Sequence, residues 1–330
     1  MSSSLQSYIE TLRSTDALPL EFELELPDVK KAVKAYLWKS SAKLSKTIHL
    51  CIYTHGAGGT CMSTASVNLC QGMVEVANGV PEDRESLLVL GFDGAMHLGS
   101  RTKTFVALIR WAAESDSIKT ISLAGRSMGC RAAALATAQC LEIPKLSQRL
   151  VLQSYPLAGA GKGTKDEERK QVLLALPKTS TILFQIGDND EMCSIADLQE
   201  LQQSMDQHCS IVTVEQVDHG LQLTSGVAPR GTKAEAEQEI GRALGRIAGE
   251  WLLNEKPESL GDGTLAVKFH EERPANTWSG FGKPEVKTKI EKRSQHTAND
   301  PTQSKRKAVA DDADSSSRST RVRRTRRSQR

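Results

Sequence analysis

The chain has 330 residues, of which 38% are hydrophobic, and its 43 Lys and Arg against 40 Asp and Glu give a net charge of +3. This length allows a substantial core, and no apolar run approaches the 18 residues of a membrane-spanning helix. The charge is unevenly divided: residues up to His270 carry 27 basic and 32 acidic side chains, and those from Glu271 onward carry 16 and 8. We therefore expect one folded domain followed by a basic tail.

The seven cysteines, an odd number, are scattered through apolar stretches without a Cys-x-x-Cys pair. This pattern favours reduced thiols over a disulfide framework or a zinc site, so we expect no bound metal. The stretch Met1–Leu5 contains neither the basic nor the apolar segment that begins a secretory signal. We expect a protein of the nucleus, the cytoplasm or both, without membrane association.

The predicted elements alternate in type along the chain. Residues 1–17 are polar and predict a flexible N-terminus. Alternation and apolar runs predict a strand pair within 18–38 and strands at 47–54, 86–92, 120–124, 150–153, 181–186 and 211–217. Helical spacing and charge patterns predict helices at 66–77, 103–113, 165–176 and 233–253. The alternation predicts a mostly parallel sheet covered by helices on both faces, in a domain over 18–255.

One stretch joins a predicted strand to a predicted helix through the pattern Gly-x-Ser-x-Gly. Gly125, Ser127 and Gly129 occupy its fixed positions, and alanine-rich sequence follows at once. A serine on so abrupt a turn needs small neighbours, and the two glycines leave the necessary space. The pattern predicts a nucleophile at Ser127, with the Met128 N–H at the start of the helix facing an oxyanion.

Polar clusters follow two later strands, where parallel sheets place their working residues. Asp188 and Asp190 follow the strand at 181–186, and His219 follows the last strand. The chain order serine, acid, histidine is that of an α/β-hydrolase triad. His219 would take the serine proton and return it to the leaving group, while the carboxylate holds the imidazole. We prefer Asp190 as the acid because it lies further out in its loop, with Asp188 as the alternative.

A glycine-rich loop, His55-Gly56-Ala57-Gly58-Gly59, follows the strand at 47–54. Hydrolases of this class place their second oxyanion donor here, so we expect the N–H of Ala57 or Gly58 to join that of Met128. The alternative is that the glycines are ordinary turn material. We expect His55 to orient the loop rather than to catalyse.

A second glycine-rich loop, Ala158–Thr164, lies between a strand and a charged helix, as phosphate-binding loops do. The Walker pattern requires glycine at 156 and Ser or Thr at 163, but Pro156 and Gly163 stand there. We keep nucleotide binding as a minor alternative and expect no cofactor.

Four ordered motifs resemble one known family. They are Thr54–Gly59, Gly125–Ala133, Ser154–Leu157 and Asp190–Cys193. In them the sequence resembles the α/β-hydrolase-like family of testis-expressed protein 30 and the third regulatory subunit of the nonspecific-lethal chromatin complex, over roughly residues 24–253. The resemblance implies an α/β-hydrolase fold with little or no lid. It also implies two possible functions, because some members of that family lack the catalytic serine.

The last segment, 256–330, loses apolar residues and gains Pro, Ser and Gly, so we expect a disordered tail. Two basic clusters lie in it, separated by an acidic, serine-rich spacer: Lys305, Arg306 and Lys307, and Arg323, Arg324, Arg326 and Arg327. They predict a nuclear localisation signal bound by an import receptor, or a nonspecific contact with nucleic acid. The alternative is a solvated tail without a partner.

Together these features predict a serine hydrolase of the carboxylesterase, thioesterase or amidase type. Its substrate would be a small ester, thioester or amide, cleaved through an acyl-enzyme at Ser127. The alternative is a non-catalytic adaptor that uses the hydrolase fold as a binding surface in a nuclear or chromatin-associated complex.

Overall fold

The central strands of the sheet are short apolar segments that are buried on both faces. The computed structural model describes residues 4–14, 19–40, 44–76, 85–159, 166–224, 233–269 and 274–283. Its strands are β1 (Leu20–Leu24), β2 (Val33–Trp38), β3 (Ile48–Thr54), β4 (Ser86–Phe92), β5 (Ile118–Arg126), β6 (Leu146–Gln153), β7 (Thr181–Asn189), β8 (His208–Asp218), β9 (Gly263–Phe269) and β10 (Pro274–Trp278). Every residue of β3 is buried, as expected for a strand covered by helices on both sides.

The ten described strands form one sheet in the order β1-β2-β4-β3-β5-β6-β7-β8-β9-β10. Neighbours from β4 to β9 in this order are parallel, and the outer pairs β1/β2, β2/β4 and β9/β10 are antiparallel. The mostly parallel sheet predicted from the alternating pattern is therefore confirmed.

Helices cover both faces of this sheet. They are α1 (Leu5–Ser14), α2 (Thr64–Glu75), α3 (Leu98–Ala113), α4 (Met128–Gln139), α5 (Glu167–Leu174), α6 (Ile195–Ser204) and α7 (Lys233–Leu253). One core cluster includes Met73 of α2 and Trp251 of α7, and the other includes Ile9 of α1, Phe105 of α3 and Leu198 of α6. The chain thus forms three layers, with the sheet between two sets of helices.

The folded region begins earlier than the predicted boundary. Residues 1–17 were expected to be flexible, but α1 occupies Leu5–Ser14. Its residues Leu5, Ile9 and Leu12 are buried, and Tyr8 stacks on Phe22 of β1 with ring centroids 4.0 Å apart. The spacing of four and then three residues places these two leucines and the isoleucine on one face of the helix. The segment as a whole is polar, so its overall composition does not reveal this apolar face.

The folded region also extends past residue 255. A short 3₁₀ helix over Pro257–Ser259 leads to β9 and β10, which the sequence pattern placed in the tail. Gly263 to Leu265 pair in parallel with Val212 to Val214, and Leu265 is fully buried. The apolar alternation that makes β9 is only a few residues long, so it disappears in the composition of the whole tail. Residues 284–330, including both basic clusters, lie outside the described residues.

The parallel strands bring their carboxyl ends to one edge of the sheet. There β5 lies between β3 and β6, and β7 and β8 follow as the next strands. The glycine-rich loop after β3, the serine turn after β5, and the polar loops after β7 and β8 therefore meet at this edge.

Candidate active site

The strained turn predicted between strand and helix is present, and Ser127 lies at its apex. Ser127 has φ 51° and ψ −115°, a positive-φ conformation that residues with a side chain rarely adopt. Its N–H donates to the Gln153 carbonyl at 2.9 Å, and its own carbonyl accepts from the Cys130 N–H at 3.0 Å. These bonds fix the serine between the end of β5 and the first turn of α4.

Gly125 and Gly129 are glycines because backbone atoms fill the space that a Cβ would need. A Cβ on Gly125 would lie 2.3 Å from the Gly129 carbonyl carbon, and a Cβ on Gly129 would lie 2.4 Å from the Thr54 carbonyl oxygen. No side chain fits at either position. The turn therefore packs directly against the end of β3.

Three side chains form a hydrogen-bonded chain that runs from Ser127 through His219 to Asp190. His219 Nε2 lies 2.9 Å from Ser127 Oγ, and His219 Nδ1 lies 2.9 Å from both carboxylate oxygens of Asp190. The Asp190 side chain is fully buried, and that of His219 is 14% exposed. Because a carboxylate only accepts, the proton resides on Nδ1, and Nε2 presents its lone pair to the serine hydroxyl.

The two candidate acids occupy different positions. Asp190 Oδ1 also accepts from the N–H groups of Met192 at 2.8 Å and Cys193 at 3.2 Å, which fix the carboxylate in its loop. Asp188 Oδ1 instead accepts from the Gln216 N–H at 2.7 Å. The structure thus brings Asp190, the preferred acid, to the imidazole and leaves Asp188 joining β7 to β8.

The loop that carries the histidine is tied to the serine turn by Arg126. Arg126 Nη2 donates to the Gly220 carbonyl at 2.7 Å. Asp218 Oδ1 accepts from the Gln222 N–H at 3.0 Å and so closes the turn around His219. Arg126 occupies a variable position of the Gly-x-Ser-x-Gly pattern, so the pattern alone assigns it no role.

The three predicted oxyanion donors differ in whether their N–H already has an acceptor within the protein. The Gly58 N–H is directed at Met96 Sδ, 3.1 Å away. Met128 is the first residue of α4, so its N–H has no partner within the helix. Neither it nor the Ala57 N–H has an acceptor among the described residues. Ala57 and Met128 are therefore the donors left available for a substrate oxygen.

The glycine-rich loop is held beside the nucleophile by His55. A Cβ on Gly56 would lie only 3.3 Å from Ser127 Cβ, so this loop touches the serine turn. His55 is buried; its Nε2 accepts from the Gly94 N–H at 3.0 Å, and its Nδ1 donates to the Gly56 carbonyl at 2.6 Å. Burial, together with the nearby Arg101 charge, lowers the pKa of His55 below its ordinary value. The neutral ring orients the loop.

Two further observations concern metal sites and membrane-spanning helices. Among residues 4–283, outside the gaps, no group of three or more His, Cys, Asp or Glu side chains is arranged to hold a metal ion. None of the described helices combines the length and the hydropathy that crossing a bilayer requires.

Comparisons with known proteins agree with this fold. A family model described as an alpha/beta hydrolase domain matches residues 97–247, which include Ser127, Asp190 and His219. A solved esterase from Pyrobaculum calidifontis has a TM-score of 0.52 and 13% identity, covering 75% of this chain and 90% of that chain. The chain has the α/β-hydrolase fold.

Other solved structures share this hydrolase fold. An alpha-beta serine hydrolase homologue from Coxiella burnetii has a TM-score of 0.51 and 15% identity, covering 71% of this chain and 99% of that chain. The esterase domain of a Rhodothermus marinus protein has a TM-score of 0.50 and 15% identity, covering 72% and 98%. At such identities the likeness shows the fold alone.

A comparison with curated protein sequences gives no significant match. The α/β-hydrolase part of the resemblance noted in the sequence is supported by the family model and the solved structures. The narrower family, that of testis-expressed protein 30 and the chromatin-complex subunit, stays a prediction.

Proposed function

We propose that this hydrolase-fold protein is a serine hydrolase that cleaves small carboxylic esters, thioesters or amides through an acyl-enzyme at Ser127. The observation that carries the proposal is the hydrogen-bonded chain Ser127–His219–Asp190, with 2.9 Å at each step. A surface serine has no reason to lie at positive φ against a histidine whose other nitrogen contacts a buried carboxylate. Strain and a preset base at one position are typical of an activated nucleophile.

The first half of the reaction forms the acyl-enzyme. His219 Nε2 accepts the hydroxyl proton as Ser127 Oγ attacks the carbonyl carbon of the substrate, and the carbonyl oxygen becomes an oxyanion. The N–H groups of Met128 and Ala57 donate to this oxyanion. The tetrahedral intermediate then collapses: the bond to the leaving group breaks, and the imidazolium gives its proton to the departing oxygen, sulfur or nitrogen.

The second half returns the enzyme to its starting state. His219 takes a proton from a water molecule, whose oxygen attacks the acyl carbon on Ser127. The second oxyanion uses the same two donors. Its collapse breaks the bond to Ser127 Oγ, the imidazolium reprotonates that oxygen, and a carboxylic acid leaves. Asp190 stays ionised throughout and stabilises the positive imidazole.

Hydrolysis of a short-chain nitrophenyl ester tests the proposal, since two of the structures with this fold are named esterases. Ser127→Ala removes the nucleophile and should lower kcat/KM by about three orders of magnitude or more, as removal of a triad member does elsewhere. Ser100→Ala, on the exposed start of α3, is the matched control and should keep wild-type activity. A loss of less than about tenfold in Ser127→Ala would contradict an acyl-enzyme at this residue.

The non-catalytic adaptor remains the second candidate from the sequence. It predicts the same fold and no difference between wild type and Ser127→Ala in this assay. The hydrogen-bonded site favours the enzyme over the adaptor, because a binding surface does not need an imidazole held in one tautomer by a buried carboxylate.

A further inference from the structure

Arg101 of α3 is a fully buried arginine that the sequence pattern left unassigned. No carboxylate of the described residues forms an ion pair with its guanidinium, and burial lowers its pKa. An unpaired buried cation is costly unless other groups satisfy it. Its location under the glycine-rich loop of the site therefore needs an explanation.

The guanidinium is satisfied by backbone carbonyls from two loops. Its Nη1 donates to the carbonyls of His55 and, at 3.3 Å, Gly56, which follow β3. Its Nη2 and Nε donate, each at 3.0 Å, to the carbonyls of Gly94 and Ala95, which follow β4. The five N–H donors of an arginine in one plane suit this task, and a lysine has no such fork.

One of these carbonyls belongs to the peptide unit of a predicted oxyanion donor. The Gly56 C=O and the Ala57 N–H lie in the same trans peptide, so the two groups point in opposite directions. Arg101 Nη1 and His55 Nδ1 both donate to the Gly56 oxygen and fix where it points. Fixing the oxygen also fixes the direction of the Ala57 N–H.

The position of this peptide relative to the nucleophile gives the contact a chemical consequence. The Gly56 backbone lies against the serine turn, where a Cβ would be 3.3 Å from Ser127 Cβ and 4.0 Å from Ser127 Oγ. A rotation of the 56–57 peptide would therefore turn the Ala57 N–H away from an oxygen bound at Ser127. Oxyanion donors lower the barrier only when they are preset in direction.

We infer that Arg101 is a positioning residue of the oxyanion hole: it holds the Gly56 carbonyl and thereby aims the Ala57 N–H at the developing oxyanion. This inference rests on the proposed hydrolase function. Arg101 itself does not touch substrate. A merely structural role would tie α3 to the two loops without altering how the enzyme treats the substrate oxygen.

A pair of substrates that differ only in the carbonyl atom separates these two roles. A thionoester places sulfur, a weak hydrogen-bond acceptor, where the ester has oxygen, so it gains less from oxyanion donors. We would measure kcat and KM for a matched ester and thionoester with the full chain: wild type, Arg101→Lys, Arg101→Met and Arg110→Met. Arg110 lies on the same helix, but its side chain is 56% exposed and forms an ion pair with Glu142 at the surface, so it is the matched control.

Arg101→Met should lower kcat for the ester by about 10²-fold, the effect of losing one oxyanion donor, with a much smaller change in KM. The ratio of ester to thionoester turnover should fall by at least about tenfold, with Arg101→Lys intermediate and Arg110→Met at the wild-type ratio. Equal losses on the two substrates would overturn the inference, because they would report only a smaller fraction of correctly folded enzyme.

Hydrogen exchange of residues 55–59 and 93–97 keeps the inference testable if wild type hydrolyses neither substrate. That result would contradict the proposed function, and with it the catalytic part of the inference. Faster exchange in these loops for Arg101→Lys or Arg101→Met, but not for Arg110→Met, would still support Arg101 as their anchor. Unchanged exchange would overturn the anchoring as well.

Discussion

At the scale of single residues, the site depends on a serine held in an unfavourable backbone conformation. A positive φ at a residue other than glycine costs about 1–3 kcal/mol. At Ser127 the surrounding backbone bonds and the two flanking glycines impose it. The result is a hydroxyl that faces the imidazole before any substrate binds.

The carboxylate behind the histidine gives a test at the same scale. Asp190→Asn keeps the size and an oxygen that accepts the Met192 and Cys193 N–H groups, but its amide can stabilise the wrong tautomer of His219. We expect kcat to fall by about 10⁴-fold, the loss found when the aspartate of a serine protease triad is changed in this way. The measurement is steady-state hydrolysis of the nitrophenyl ester.

Asp188→Asn is the matched control, because it makes the same chemical change two residues away. Asp188 contacts Gln216 and Asn189 rather than the histidine, and we expect kcat to change by less than about threefold. Losses of similar size in the two variants would show that Asp190 has no particular role.

Some site residues could be identified from the sequence and others could not. The difference is whether a short stretch of sequence marks the residue or only a contact with a distant part of the chain does. Ser127 lies in a pattern of five residues and His219 comes directly after a strand, so spacing and chain order identify both. The same signals narrow the acid to Asp190 or Asp188, and only the contact with His219 separates the two. The choice between Ala57 and Gly58 depends on a contact with Met96, 38 positions away from Gly58 in the chain. Arg101 could not be found from spacing, because its carbonyl partners carry no side-chain signature.

At the scale of elements, arginine side chains hold the loops at the carboxyl edge of the sheet. Arg101 binds the loops after β3 and β4, and Arg126 binds the loop after β8. Arg169 of α5 donates to the carbonyls of Pro156, at 3.5 Å, and Ala158 in the loop after β6. The guanidinium groups of Arg101 and Arg169 each satisfy several carbonyls, so the loops that they bind are held without regular structure of their own.

Elements with long, regular patterns were predicted well, and short or interrupted ones were not. The helix over 233–253 was predicted at the bounds that α7 has. The helix at 103–113 was predicted to begin five residues too late, because the glycine and the polar residues at 99–102 of α3 show no apolar spacing. Helix α6 was not predicted: it has ten residues and buries only Leu198 and Leu201. Its large apolar side chains, Ile195, Leu198 and Leu201, span only about two turns, which is too short a run to show a clear period.

Helix α1 allows a test at the scale of an element. Ile9→Ala should lower the free energy of unfolding by about 2–4 kcal/mol, because Ile9 is fully buried and its loss leaves a cavity. Thr11→Ala, on the exposed face of the same helix, should cost less than about 0.5 kcal/mol. Urea unfolding of the full chain measures both. Equal, small effects would mean that α1 does not pack on the domain in solution.

At the scale of the whole molecule, the chain separates an acidic folded region from a basic segment at its end. The two basic clusters, at 305–307 and 323–327, lie outside the described residues, so nuclear import and nucleic-acid binding remain predictions from the sequence. The basic segment can be removed without touching the folded region, so its role in nuclear localisation can be tested directly in cells.

Deletion of residues 305–330 should shift the protein from the nucleus to the cytoplasm, because an import receptor binds such clusters through their positive charge. Fluorescence of a tagged chain measures the distribution. Replacing Asp311, Asp312 and Asp314 of the spacer with asparagine is the control and should leave the nuclear fraction unchanged. An unaltered distribution after the deletion would remove the targeting prediction.

The overall architecture was predictable because it depends on repeated signals. Buried strands alternate with helices from β3 to α7, and this order alone implies parallel strands whose carboxyl ends meet at one edge. The substrate was not predictable for the opposite reason. Its pocket is shaped by the loops after the strands, such as those at 55–59 and 93–97, and loop shape depends on distant contacts rather than on local periodicity.

The central claim, that Ser127 is an activated nucleophile, is tested most directly by covalent labelling with a fluorophosphonate probe. Labelling needs no knowledge of the natural substrate, because the probe reacts with a serine whose hydroxyl has a base beside it. We would compare the purified full chain with its Ser127→Ala and His219→Ala variants, each shown to be folded. The structure predicts strong labelling of wild type at Ser127 and loss of labelling in both variants. Two results would contradict it: folded wild-type protein that does not label, or variants that label as strongly as wild type.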